Sequence, residues 1–121
     1  AEIWRAYCEA FADLPVFLPA PAAPDTRHAL HLFTLLLDTD RCGITRDDFL
    51  ASMTARKIGT GVHYRAVHLH PFYRERFGYR SGQFPNAEWI SERTVSLPLS
   101  AKLGDRDVAD VIEAVRASLD A

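Results

Sequence analysis

Between Gly59 and Pro71 the sequence concentrates side chains that could bind a polar ligand. They are His63, Tyr64, Arg65, His68 and His70. Arginine binds phosphate or carboxylate through paired hydrogen bonds, and histidine and tyrosine hydrogen-bond to phosphate and sugar oxygens. Loops at strand ends are common places for such groups. The segment therefore suits an anionic ligand that is rich in hydroxyl groups.

The same histidines have two other interpretations. A histidine near the end of a strand is most often a structural group whose ring nitrogens bond to neighbouring atoms. Alternatively, His63, His68 and His70 offer three nitrogen donors to a metal ion. Zinc sites generally use tighter, recurring spacings with a cysteine or carboxylate partner, and no such partner is evident in this segment. A histidine-rich metal-binding domain is therefore the weaker alternative, and no metal is predicted.

Other aromatic and histidine residues favour structural roles. His31 is interpreted as a core or interface histidine, and Trp4 and Trp89 as core or interface aromatics. Pro71–Phe77 combines aromatics with arginines, as nucleic-acid patches do. On a chain with a formal net charge of −2, we instead expect a short helix whose aromatics cover the domain surface. Nucleic-acid binding is not predicted.

Length and composition indicate one globular domain, or one piece of a larger protein. The chain has 121 residues, of which 48% are hydrophobic and 25% charged. No apolar run approaches the roughly 20 residues that a helix needs to cross a bilayer. Two cysteines are too few for a disulfide framework, which favours free thiols and a cytoplasmic location. The chain begins at Ala1 already in helical register, so we expect residues 1–121 to be a fragment.

The hydrophobic pattern predicts helices alternating with short strands. Apolar residues spaced by three or four positions predict a first helix that ends at Pro15, and Thr45 with Asp48 predicts a capping box at the start of another. That second helix closes near Lys57, with Gly59 available for a left-handed end. The predicted segments are a short extended stretch 16–18, a central strand 29–38 buried on both faces, a turn 39–43, a strand 62–64, a loop-rich region 65–84, a helix 85–93, a strand 96–99 and a final helix with apolar positions from Val108 to Leu119.

These elements predict an α+β fold, a small antiparallel or mixed sheet covered by helices. Fold alone would say little about function. One interpretation open at this point is a stand-alone module that binds small anionic ligands.

Four ordered blocks of sequence resemble a known family. The blocks are Gly59–His68, Phe72–Phe77, Pro85–Arg93 and Ser96–Leu99. In this order and at these spacings they resemble the C-terminal part of the DegT/DnrJ/StrS-type sugar aminotransferases, and the match runs over nearly the whole chain. Within the family, the blocks around His68 and Trp89 look closest to the enzymes that make 4-amino-4-deoxy-L-arabinose on UDP for lipid A modification.

The resemblance implies the small C-terminal domain of a fold type I enzyme, which resembles aspartate aminotransferase and depends on pyridoxal phosphate (PLP). Such enzymes are usually homodimers and transfer an amino group from glutamate to a keto-sugar nucleotide. The family's Schiff-base lysine lies in the large N-terminal domain, and neither Lys57 nor Lys102 falls in a block that resembles the cofactor motif. The resemblance therefore implies that this chain alone binds no PLP and is inactive.

The resemblance also selects the candidate substrate-binding residues. By this comparison the segment from His63 to His68 reaches toward the sugar-nucleotide cleft, with His68 as the first candidate and His63, Tyr64 and Arg65 after it. Their implied role is to orient the diphosphate or the sugar. Proton transfer in this family belongs to the lysine of the large domain, so no catalytic residue is predicted here.

Overall fold

Three antiparallel strands lie at the centre of the computed structural model, which describes residues 1–119. They are β1 (Val16–Phe17), β2 (Phe33–Leu37) and β3 (Thr94–Leu97), in the order β1-β2-β3. The register places Phe33 opposite Leu97, and Val16 opposite Leu37. β2 is therefore the central strand, as predicted.

Helices connect and cover these strands. They are α1 (Glu2–Ala10), α2 (Thr39–Cys42), α3 (Arg46–Ala55), α4 (Pro71–Phe77), α5 (Pro85–Ser91) and α6 (Asp105–Leu119), with a 3₁₀ helix at Val67–Leu69. Apolar side chains of α1, α3 and α6 form one core with β2 and β3. The predicted fold class, a small antiparallel sheet covered by helices, is confirmed.

β2 is shorter than predicted and is fully buried on one face only. Phe33, Leu35 and Leu37 have no exposed surface, whereas the side chains between them are half-buried. The strand does not begin at Ala29 because Leu30 has a left-handed backbone, with φ +52, and its amide donates to His28 Nδ1 at 2.9 Å. This turn breaks the extended path that the apolar run predicted.

Three residues that were predicted to lie in the core or at an interface lie outside the core. His31 is exposed, which excludes the core for this histidine and leaves the interface as a prediction. Trp4 is half-buried, with its ring 4.9 Å from that of Phe33. Trp89 is exposed, and its ring lies 5.5 Å from that of Phe17. Trp4 thus borders the core, and Trp89 belongs to the surface.

The start of α3 and its end near Lys57 were predicted correctly, and the left-handed residue that follows the helix was not. Thr45 Oγ1 accepts from Asp48 N at 3.1 Å, and Asp48 Oδ2 accepts from Thr45 N at 3.1 Å, which is a capping box. The Thr45 hydroxyl also donates to Asp48 Oδ2 at 2.7 Å, and this bond, followed by that from the Thr45 amide, holds the pKa of the Asp48 carboxyl below its usual value. The left-handed residue after the helix is Lys57, with φ +63, and not Gly59. The left-handed conformation after α3 therefore occurs two residues earlier than the glycine in the sequence indicated.

The predicted turn 39–43 is instead the one-turn helix α2. Asp38 caps it by accepting from Arg41 N at 3.2 Å, and Gly43 ends it in the left-handed region with φ +70. Capping at both ends allows a helix too short to show a hydrophobic period.

The boundary between α5 and β3 lies two residues earlier than predicted. α5 ends at Ser91. β3 ends at Leu97 because the next residue, Pro98, has no amide hydrogen to continue the ladder with β2. The Pro98 carbonyl instead accepts from the phenol of Tyr7 at 2.9 Å. This bond joins α1 to the end of the sheet.

Tyr7 provides a pH-dependent test of this fold. The side chain is fully buried, and burial raises the pKa of its phenol from 10.0 to about 12. Because the folded value is raised, its contribution to stability is complete below about pH 10 and is lost as pH rises toward 12. In a phenolate absorbance titration we expect one of the four tyrosines to ionise late, and Tyr7→Phe to remove that phase. A late phase that persists in Tyr7→Phe would contradict the assignment.

Candidate functional site

The candidate site is the segment Gly61–His68, which begins beside the outer edge of β3. Gly61 exchanges two backbone hydrogen bonds with Ser96, of 2.9 and 2.8 Å. The predicted strand 62–64 is wrong: none of these three residues is in a strand, and the single bridge to β3 lies one residue earlier, at Gly61. Beyond it, β3 bonds through side-chain hydroxyls: the Ser96 hydroxyl meets His63, and Thr94 Oγ1 donates to the His63 carbonyl at 3.5 Å. These side-chain contacts take the place of further backbone hydrogen bonds between residues 62–64 and β3.

His63 is the first anchored side chain of the segment. Its Nδ1 lies 2.7 Å from Ser96 Oγ, and its ring packs edge-on against the Tyr64 ring with centroids 4.8 Å apart. The bond to Ser96 fixes the Nδ1 edge of the imidazole. His63 is half-buried, so the rest of the ring is partly accessible to solvent. The structure thus brings two of the predicted site residues, His63 and Tyr64, into contact.

Close packing around His63 depends on the absence of a side chain at Gly61. A Cβ at this position would lie 2.9 Å from His63 Cε1 and 3.4 Å from Nδ1. We expect Gly61→Ala to displace the ring from Ser96 and to lower the free energy of unfolding by about 1 kcal/mol, the usual value of one hydrogen bond. Urea unfolding measures this loss.

Gly59→Ala is the matched control for that substitution. A Cβ at Gly59 would have no atom within 4 Å. The control is expected to leave stability unchanged or slightly raised, because alanine restricts the unfolded chain more than glycine does. Equal stabilities of the two variants would contradict the proposed contact.

The second anchor lies at Ala66. Its backbone amide donates to Ser91 Oγ at 2.9 Å, and both residues are buried. Ser91 is the last residue of α5, so this bond joins the segment to that helix. A buried amide without a partner would cost free energy, which makes the position of this backbone well determined.

The third anchor is His68, the first candidate from the sequence. The residue is only 5% exposed, and its Nε2 lies 2.7 Å from Glu88 Oε1. The Phe84 ring lies 4.9 Å from the imidazole. The Glu88 carboxylate also accepts from Gly82 N at 2.7 Å and from Ser81 Oγ at 3.1 Å. The bond to His68, followed by that to the Gly82 amide, holds the pKa of the Glu88 carboxyl below its usual value.

Between the first two anchors, Tyr64 and Arg65 project into solvent. Tyr64 is 72% exposed and Arg65 is also exposed. His70 is exposed too and precedes α4. The three histidines have separate environments, and among residues 1–119 no three metal-ligating side chains form a cluster. The arrangement presents a phenol and a guanidinium on a fixed segment.

Exposed aromatic rings continue from this segment into α4. The prediction that these rings cover the domain surface is wrong for the described chain, since Phe72 and Phe77 are 66% and 57% exposed. Instead the rings pack against one another. The ring centroids of Tyr73 and Phe77 are 6.1 Å apart, and those of Phe77 and Tyr79 are 5.7 Å apart. Residues 71–77 form the expected short helix, and its aromatic side lies open.

The region 63–84 is also cationic. It contains four arginines and a single acidic residue, Glu75, on a chain whose formal net charge is −2. The arginines are Arg65, Arg74, Arg76 and Arg80. Positive charge on an otherwise acidic chain favours an anionic ligand at this surface.

Sequence reasoning missed the partners that hold the segment. Ser96, Ser91 and Glu88 lie 33, 25 and 20 positions from the residues they bond. No local pattern pairs residues at such separations. Glu88 and Ser91 do stand in one of the sequence blocks singled out above, which was the available signal.

Several solved structures that share this fold are described as aminotransferases. The chain matches the structure described as S. venezuelae DesV in complex with ketimine intermediate, with a TM-score of 0.84 and 33% identity over 99% of this chain and 31% of that one. It also matches the aminotransferase TlmJ from Streptoalloteichus hindustanus, with a TM-score of 0.84 and 28% identity over 98% of this chain and 30% of that one. The fold is that of the small domain of fold type I PLP enzymes.

The characteristic sequence pattern of the DegT/DnrJ/EryC1/StrS aminotransferase family matches residues 1–116. The chain belongs to this family. The resemblance found from the sequence blocks is thereby confirmed at the family level, and the assignment to a 4-amino-arabinose enzyme stays a prediction.

Two relatives are similar to this chain over nearly its whole length. The uncharacterized protein MJ1066 of Methanocaldococcus jannaschii is 45% identical over 115 residues, which is 95% of this chain and 30% of that protein. The spore coat polysaccharide biosynthesis protein SpsC of Bacillus subtilis is 43% identical over 116 residues, again 95% of this chain and 30% of that protein. The chain thus spans about 30% of the length of these relatives.

Members of this family depend on PLP, and neither Lys57 nor Lys102 is buried in this chain. A lysine that forms a Schiff base needs an environment that desolvates its amine. Lys57 is exposed and lines a surface cleft with Asp110 and Glu113, and Lys102 is exposed before α6. Neither lies in the segment Gly61–His68.

In residues 1–119, no helix combines the length and the apolar character required to span a membrane.

Proposed function

We propose that this chain is the small C-terminal domain of a nucleotide-sugar aminotransferase whose large domain lies elsewhere in the complete protein. The complete enzyme transfers an amino group from glutamate to a keto-sugar nucleotide, with UDP-4-keto-pentose as the proposed substrate. It acts as a cytoplasmic homodimer. The family match over residues 1–116 is the observation that carries this proposal.

The geometry of the segment Gly61–His68 supports a binding role within such an enzyme. Tyr64 and Arg65 are exposed between fixed anchors, in a cationic region. A guanidinium suits a diphosphate because its planar donors pair with two phosphate oxygens, and a phenol suits a sugar hydroxyl. We assign Arg65 to the diphosphate and Tyr64 to the sugar.

In this proposal His63 and His68 also bind the sugar nucleotide. His63 offers Nε2, since its Nδ1 is bonded to Ser96, and His68 offers Nδ1, since its Nε2 is bonded to Glu88. Both act by orienting the substrate. PLP, when bound in the complete enzyme, supplies the group that carries the amino group between donor and acceptor. The lysine that holds PLP is proposed to lie in the large domain, so the chain alone is inactive.

The proposal is tested by comparing the complete protein with residues 1–121 alone. We expect the complete protein to absorb in the PLP region and to aminate UDP-4-keto-pentose only when glutamate is present. The 121-residue chain should do neither. Unaided transamination by that chain would overturn the proposal. Amination of a different keto-sugar nucleotide, with no turnover of UDP-4-keto-pentose, would overturn only the assignment of the substrate.

A further inference from the structure

We propose that Glu88 is a positioning residue for the sugar-nucleotide site and acts through His68 to hold the segment that presents Tyr64 and Arg65. This inference rests on the proposed function for its ligand. Its structural part, that Glu88 fixes the segment, is independent of the ligand and is tested separately below.

Glu88 joins three parts of the chain. Its carboxylate is bonded to His68 in the 3₁₀ helix, to the Gly82 amide and Ser81 hydroxyl in the loop before α5, and it is itself part of α5. The same carboxylate oxygen, Oε1, meets both His68 and Gly82 at 2.7 Å. A single side chain therefore determines the relative position of the binding segment, the loop and the helix.

Burial of His68 and Glu88 restricts the arrangements that this junction can adopt. The side chains of His68 and Glu88 are 6% and 14% exposed, and the Phe84 ring packs against the imidazole. Polar groups held away from water need their partners, and loss of one partner leaves the other unsatisfied. The pair is therefore expected to keep a single arrangement, whereas an exposed pair would exchange with water.

Tyr64 and Arg65 depend on this junction for their position. Each is exposed, so neither is held by packing of its own side chain in the core. Their backbone is fixed by the bonds of His63 before them, and of Ala66 and His68 after them. A segment whose backbone is ordered before binding loses less entropy when a ligand arrives. Loss of the Glu88 carboxylate, which is given no ligand contact of its own, is therefore expected to weaken binding by releasing the His68 anchor.

The structural part is tested by amide hydrogen exchange on the 121-residue chain. Glu88→Ala is expected to speed exchange at least about tenfold at Gly82, which loses its acceptor, and at Leu69 and His70, whose amides donate to the Ala66 and Val67 carbonyls around the 3₁₀ helix. Amides in β2 and β3 should keep their rates, which shows that the fold survives. Glu92→Gln is the control, because Glu92 is exposed at the end of the same helix. Unchanged rates in Glu88→Ala would overturn the inference.

The functional part is tested in the complete enzyme with separate titrations of the two substrates. Glu88→Ala is expected to raise KM for the sugar nucleotide about tenfold, with KM for glutamate unchanged. Glu88→Gln keeps an acceptor for Gly82 and should recover part of the loss. The double variant His68→Ala/Glu88→Ala should be no worse than the more impaired single variant, because the two act as a unit.

The outcomes separate the two proposals. Faster exchange in Glu88→Ala with a normal sugar-nucleotide KM would overturn the positioning role. The structural part of the inference, that Glu88 fixes the segment, would then still hold. An equal loss for both substrates would indicate general destabilisation and would also overturn it. An inactive wild-type complete protein would instead overturn the proposed function.

Discussion

Phe33→Ala is expected to lower the free energy of unfolding by about 3–5 kcal/mol, the usual cost of truncating a buried phenylalanine. Phe33 has no exposed surface, and its ring lies edge-on to those of Trp4 and Tyr7 at 4.9 and 5.1 Å. Native domains are typically stable by about 5–15 kcal/mol, so this loss is a large part of the free energy of unfolding. Urea unfolding followed by tryptophan fluorescence measures the change.

Phe72→Ala is the matched control for that variant. It removes the same side chain from α4, where the residue is 66% exposed, and should change stability by no more than about 0.5 kcal/mol. A loss at Phe33 no greater than at Phe72 would mean that the core described around β2 is wrong.

Arg65→Ala is expected to raise KM for the sugar nucleotide about 10- to 100-fold in the complete enzyme. A hydrogen bond to a charged group is worth about 1.5–3 kcal/mol, and each 1.4 kcal/mol corresponds to a factor of ten. The residue is exposed, so the unfolding midpoint of the 121-residue chain should stay the same. Steady-state kinetics with each substrate varied in turn provides the measurement.

Two companion variants sharpen the result for Arg65. Arg65→Lys keeps the charge but not the paired planar donors, and should recover only part of the affinity. Arg106→Ala removes an exposed arginine from α6 and should leave both KM values unchanged. If Arg65→Ala behaves like Arg106→Ala, the assignment of Arg65 to the diphosphate is wrong.

Local signals in the sequence predicted the elements that depend on local chemistry. The capping box at Thr45 is a contact between residues three apart, and the amphipathic period placed α6 correctly. The same period predicted α1, but this helix ends at Ala10 and not at Pro15. The errors arise where the backbone turns for reasons outside the pattern. Leu30 adopts a left-handed conformation within an apolar run, and Lys57 does so before the available glycine.

The candidate site was predictable as a cluster but not as an arrangement. Sequence spacing indicated that His63, Tyr64, Arg65 and His68 lie near one another. It could not indicate which of them are anchored and which are exposed, because the anchors Ser96, Ser91 and Glu88 come from distant parts of the chain. The structure therefore adds the division between residues that hold the segment and residues that it presents.

The bridge between Gly61 and Ser96 has a consequence for colloidal behaviour. An open strand edge is a template on which other chains can pair and aggregate. Here the outer side of β3 is occupied at Ser96 by Gly61, and the opposite border of the sheet, β1, is only two residues long. Variants that detach the segment would thus uncover a fully buried strand, so a defect in ligand recognition and a tendency to precipitate would arise from the same change.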